Sequence, residues 1–92
     1  MAKHLKITGL VQGVGYRFSF QREALSLHLS GWVRNCRDGS VEAHVAGEVQ
    51  ALERIVVWAR RGPSGAAVRE VLVSEVDDGA VRSPGFEIFP TQ

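Results

Sequence analysis

The chain has 92 residues, 45% of them hydrophobic and 23% charged, with a formal net charge of +1. That is enough for one small domain spanning residues 1–92, burying about 60–70% of its unfolded surface, and too little charge to mark a nucleic-acid or anionic-membrane binder. A lone cysteine, Cys36, rules out an internal disulfide and fits a reducing compartment; with no apolar leader and no bilayer-length run, a cytoplasmic location is expected.

Lys3 to Val11 alternates, with Leu5, Ile7 and Val11 on one face and Lys6, Thr8 and Leu10 on the other. This predicts a half-buried strand. It runs into Gly9-Leu10-Val11-Gln12-Gly13-Val14-Gly15-Tyr16-Arg17, a glycine-rich loop ending on an arginine that opens a helix. Gly13 and Gly15 permit positive φ, so the N–H groups of Gln12, Gly13, Val14, Gly15, Tyr16 and Arg17 can turn inward as a concave nest. The helix start adds unpaired N–H groups and the positive end of its dipole, and Arg17 adds a planar charged fork. Together they describe an anion cradle, for a phosphoryl group first of all.

Between Gln12 and Arg17 there is no Ser, Thr, Asp or Asn to cap the helix. Ser19 is the nearest candidate, and Arg22 three residues on forms no capping box. The orphan donors are thus open to a ligand, although a plain strand-to-helix turn uses glycines equally well. The loop is neither a dinucleotide fingerprint, since Phe18 holds the third glycine position, nor a Walker loop, since no Gly-Lys-Ser/Thr follows.

From Phe18 to Leu29 the period changes: Phe20, Ala24 and Leu27 form a helical stripe flanked by Phe18, Leu25 and Leu29. Next, Gly31 to Cys36 and Ser40 to Ala46 flank Arg37-Asp38-Gly39 as a hairpin. A two-residue loop would bury Arg34 among Val41, Ala43 and Val45. A three-residue loop with Gly39 left-handed pairs Arg34 with Glu42 and puts Val33 and Asn35 on the apolar face, and is the preferred register.

Glu48 to Arg61 reads as a helix with Val49, Leu52, Ile55, Val56 and Ala59 as its stripe. Arg60-Arg61 complements the dipole at its end, before Gly62-Pro63 stops it. Val68 to Val76 reads as a strand with Val71 and Val73 inward, Asp77 to Pro84 as a turn-rich connection, and Phe86-Glu87-Ile88 as a last short strand. The order β-α-β-β-α-β predicts an α+β, ferredoxin-like sandwich: an antiparallel sheet, two helices on one face and a short extra C-terminal strand.

Conventional catalysts are missing. His4, His28 and His44 lack metal-ligand spacing, so a metal site is not expected. Cys36 has no helix terminus or base beside it, and no serine sits in a nucleophile elbow. A carboxylate leaving group, with a pKa near ~4, needs no general acid. An arginine, a nest of N–H groups and one neutral residue that orients water then suffice. Asn35 can accept from a water and donate to an oxygen at once. From spacing alone, bonding the adjacent turn is a competing use for it.

The blocks at 9–17, Gly31-Trp32-Val33-Arg34-Asn35 and Asp38-Gly39-Ser40-Val41-Glu42 closely resemble the acylphosphatase family, as do Gly62-Pro63 and the closing Phe86-Glu87-Ile88. The resemblance covers nearly the whole chain. It implies hydrolysis of acyl phosphates to a carboxylate and inorganic phosphate, without a metal or organic cofactor. It assigns phosphate binding to Arg17 and the loop Gln12 to Arg17, and positioning of the attacking water to Asn35. It also implies that the substrate's own phosphate accepts the water's proton. Leu10 departs from a basic residue common in the family, which weakens long-range attraction but removes no group touching phosphate. Cys36 departs from the more familiar Thr, Leu or Asn and is expected to tune the site or be oxidised, not to catalyse. Tyr16 replaces the usual Phe and should pack alike.

The expected partners are therefore a small-molecule acyl phosphate and, as product-like ligands of the loop, inorganic phosphate or sulfate. Neither nucleic acid nor membrane is expected, and the chain should be a monomer. The alternative is a non-catalytic ferredoxin-like anion- or RNA-binding module, though neither Lys3–Val11 nor Ser40–Ala46 carries a Phe, Tyr or Trp for base stacking.

Overall fold

Alternation and helical periodicity converge on a two-layer structure in the computed structural model, which describes residues 1–77 and 85–92. The elements are β1 (Ala2–Leu10), α1 (Tyr16–Ser26), β2 (Ser30–Asn35), β3 (Val41–Ala46), α2 (Val49–Arg61), β4 (Ala67–Val76) and β5 (Phe86–Ile88). They form a ferredoxin-like fold with one five-stranded sheet in the order β4-β1-β3-β2-β5. One sheet face supplies Leu5, Ile7, Val33, Val41, Ala43 and Val45 to the core; α1 adds Tyr16, Phe20 and Ala24, and α2 adds Leu52, Ile55 and Ala59.

The hairpin takes the three-residue loop. Arg34 faces Glu42 and Asn35 faces Val41, and Gly39 has a φ of 93°. Arg34 Nη2 lies 2.7 Å from Glu42 Oε1, so the charge avoids the core. The other register would have cost a buried, unpaired guanidinium.

Several boundaries and faces differ from the sequence reading. The helix α1 opens at Tyr16, one residue before Arg17, and its stripe is Tyr16, Phe20 and Ala24. Phe18 and Leu25 fall on the outer side, 59% and 47% exposed, while Leu29 is buried from the connection beyond the helix. Val49, at the first turn of α2, is 49% exposed. Val73 shares the inner face with its partner Leu5, but β4 is an edge strand and leaves it 37% exposed. The sheet is mixed, not wholly antiparallel, because β5 pairs parallel to β2, from Gly31 with Phe86 to Val33 with Ile88. Residues 78–84, most of the predicted connection, lie outside the described residues.

On the other face of the sheet, residues widely separated in sequence meet. His4 lies opposite His44 across β1 and β3, with ring centroids 4.9 Å apart, and His4 Nε2 lies 2.6 Å from Glu42 Oε2. The Trp32 ring stacks with both His44 and Phe89. Burial, and secondarily the neighbouring His4, hold the His44 pKa below its ordinary value.

Candidate active site

At the end of β1 the chain enters the loop and turns sharply into α1. Gly13 and Gly15 have φ of 77° and 79°, left-handed angles that a Cβ disfavours. An ideal Cβ at either position would meet nothing within 4 Å, so backbone angle, not lack of room, calls for glycine. Gly15 is the N-cap residue; no side chain caps the helix and its first turn holds no acid. Ser19 does not cap it either: its own N–H donates to Gly15 O at 3.0 Å. Among the described residues, no N–H from Gly13 to Arg17 donates to another backbone group. A row of unspent donors therefore surrounds the start of α1, at the positive end of its dipole.

Arg17 lies in this first turn, and its side chain has no hydrogen-bond or ion-pair partner among the described residues. Asn35 arrives from the end of β2, on the apolar face as its register requires. Its Oδ1 is buried and has no hydrogen-bond partner. The turn beside it is closed by other groups. Cys36 N donates to Ser40 O at 2.8 Å, and Asp38 Oδ1 accepts from Ser40 N at 3.0 Å and from Ser40 Oγ at 2.6 Å. Of the two uses left open for Asn35 by its spacing, bonding the turn is thus already supplied without its side chain. An orphaned buried acceptor needs an explanation, and a ligand or water provides one.

Gly13, Gly15, Tyr16 and Arg17 share with Asn35 a single hollow of about 180 Å³, whose lining Val11, Phe18 and Ile88 complete, whereas Val14 is not part of it. The arginine and the asparagine chosen from sequence are therefore brought together. Gln12 points elsewhere: its side-chain amide donates to Cys36 O and Ser40 O, both at 2.8 Å. Tyr16 packs in the core as expected, and its hydroxyl donates to Ala59 O at 2.7 Å, while burial pushes its pKa well above the ordinary value. Cys36 Sγ lies 3.9 Å from Glu42 Oε1 and is half-buried. A wider groove of about 740 Å³, walled by Arg22, Trp58 and Arg61, contains neither Arg17 nor Asn35.

The sequence reading missed the side-chain roles of Gln12 and Asp38. The Asp-Gly-Ser run is a visible signal for the second, since Asp bonds readily to backbone two residues on. Nothing local signals the first.

The acylphosphatase family model matches residues 3–88. The chain belongs to the acylphosphatase family. An acylphosphatase of Azoarcus sp. (strain BH72) is 51% identical over 92 residues, covering 98% of this chain and 90% of that protein. Among solved structures, the acylphosphatase from Coxiella burnetii superposes with a TM-score of 0.88 at 34% identity, over 96% of this chain and 90% of that one. The acylphosphatase from Bacillus subtilis gives 0.86 at 34% identity, over 97% and 99%.

Proposed function

We propose that this acylphosphatase holds the phosphoryl group of an acyl phosphate in the loop from Gln12 to Arg17 and attacks it with a water held by Asn35. The N–H groups of the loop and the Arg17 guanidinium face the equatorial oxygens and stabilise their charge in the transition state. Asn35 Oδ1 accepts a hydrogen bond from the water and aims its oxygen at phosphorus. As the new P–O bond forms, the bond from phosphorus to the acyl oxygen breaks, and its electron pair leaves on the carboxylate. The water's proton passes to an oxygen of the phosphate itself. No described carboxylate or histidine lines the hollow to take it.

The observation that carries this reading is the buried, partnerless Asn35 Oδ1 in the same hollow as an unpaired arginine. Replacing Arg17 or Asn35 by Ala is expected to lower kcat/KM on benzoyl phosphate by roughly 10²-fold or more while the domain stays folded. Near-normal turnover by folded Asn35→Ala overturns its assignment. We also infer that the enzyme works as a cytoplasmic monomer; no helix among the described residues is long and apolar enough to cross a membrane.

A further inference from the structure

An acyl phosphate has two unlike ends: an anionic phosphoryl group and an uncharged acyl substituent. The hollow is lined by groups of both kinds. Arg17, Asn35 and the glycine backbone are polar, whereas Phe18 and Ile88 line it with apolar carbon. Phe18 is 59% exposed and Ile88 38% exposed. Scattered apolar side chains on a surface are ordinary. These two differ because both border the hollow that holds the arginine and the unpartnered asparagine. Helix phase makes the placement of Phe18 unavoidable: with Tyr16 and Phe20 turned into the core, the residue between them, next to Arg17, faces out. The guanidinium carbon of Arg22 sits 6.0 Å from the Phe18 ring centroid, over one face of the ring.

We propose that Phe18, assisted by Ile88, is a shelf for the acyl substituent, so that the enzyme favours acyl phosphates with an aromatic or other large apolar acyl group over acetyl phosphate. The inference rests on the phosphoryl site described above and names the substrate class that site prefers. In-line displacement puts the departing carboxylate on the side of phosphorus away from the attacking water. The acyl group therefore projects out of the cradle, where exposed Phe18 offers it an apolar face. Contact between an apolar substituent and an exposed ring removes apolar surface from water; acetyl, with one methyl group, gains little of this.

The test compares kcat/KM for benzoyl phosphate and acetyl phosphate in the wild type, Phe18→Ala, Phe18→Leu and Ile88→Ala, with inorganic phosphate as competitive inhibitor. The wild type should favour benzoyl phosphate, and Phe18→Ala should lower that preference by about tenfold. Phe18→Leu should keep part of the preference, and Ile88→Ala should lose less than Phe18→Ala. The inhibition constant of phosphate should stay within about twofold in all of them, since phosphate has no acyl end for these side chains to meet. Equal losses on both substrates in Phe18→Ala, or a matching rise in the phosphate constant, overturn the shelf and leave the phosphoryl site standing. Unimpaired turnover of both substrates by Arg17→Ala overturns the phosphoryl site and the shelf with it.

Discussion

The side-chain amide of Gln12 donates to the carbonyl of Cys36 at 2.8 Å, across 24 positions of sequence, and its second bond reaches Ser40 at the same distance. One amide group thereby fastens the glycine loop to the turn that directly follows Asn35. The groups proposed to hold phosphate and to hold water sit on different elements, and this is a direct tie between the two.

Gln12→Ala should therefore act on alignment more than on phosphate binding. We expect kcat to fall about tenfold, with a smaller change in the phosphate inhibition constant, because misplacing reacting groups is costly even where binding survives. Gln12→Glu, which brings a carboxylate against two carbonyls, should be worse than Ala. Steady-state kinetics with phosphate inhibition checks both; equal loss of kcat and phosphate affinity would contradict a role in alignment.

Gly15 has a φ of 79° and open space where a Cβ would go. Gly15→Ala should cost about 1–2 kcal/mol through the left-handed backbone alone. For a domain of this size that corresponds to a fall in Tm of about 4–8 °C per kcal/mol. Gly15→Asn should recover part of the loss, since Asn tolerates this region better. Thermal unfolding of the two variants is the measurement.

The Tyr16 hydroxyl ties the first turn of α1 to Ala59 O, one of the carbonyls near the end of α2 that the helix itself leaves unpaired. Tyr16→Phe should keep the ring packing and strand that acceptor in the interior, at a cost of about 1–3 kcal/mol. Urea unfolding decides it; a midpoint equal to the wild type would mean that Ala59 O finds another donor.

Burial holds the His44 pKa below its ordinary value of 6.5, and the facing His4 adds to the effect. The unfolded chain thus binds a proton more readily than the folded one. Stability from this group is complete above about pH 6.5 and declines as pH falls from there towards the lower folded value. The facing charged groups are Glu42, which acts against the shift, and Arg34, which adds to it. Glu42 contributes at more acid pH. Its burial opposes ionisation, yet bonds with His4 and Arg34 outweigh that and lower its pKa, so its support too is lost on acidification. The urea midpoint should be lower at pH 5.5 than at pH 7.5, and His44→Phe should shrink the difference.

Much of this was legible because the relevant forces are local or strongly periodic. The hairpin register followed from the cost of burying Arg34, and Arg34 does face Glu42. The loop and Asn35 were picked out by residue type and by a resemblance spanning most of the chain, and Gly13, Gly15, Tyr16 and Arg17 of that loop do share one hollow with Asn35. The phase of α1 was harder: Tyr16, Phe18 and Phe20 are all aromatic, and only the cap at Gly15 decides which of them face the core. The edge chosen by Phe86–Ile88 was not legible, since three residues carry no record of which neighbour they join. Nor was the Gln12 tie or the meeting of His4 with His44, because both depend on contacts that exist only after the sheet has assembled.

The orphaned carboxamide and its unpaired guanidinium companion have a kinetic consequence. The carboxamide neither gains nor loses a proton near neutrality, and backbone amides do not either. A water held, as proposed, by a carboxamide meets no ionising base there, so over the neutral range turnover should follow the ionic form of the substrate. On acidification it is the scaffold, through buried His44 on the far side of the sheet, that yields before the reaction chemistry does.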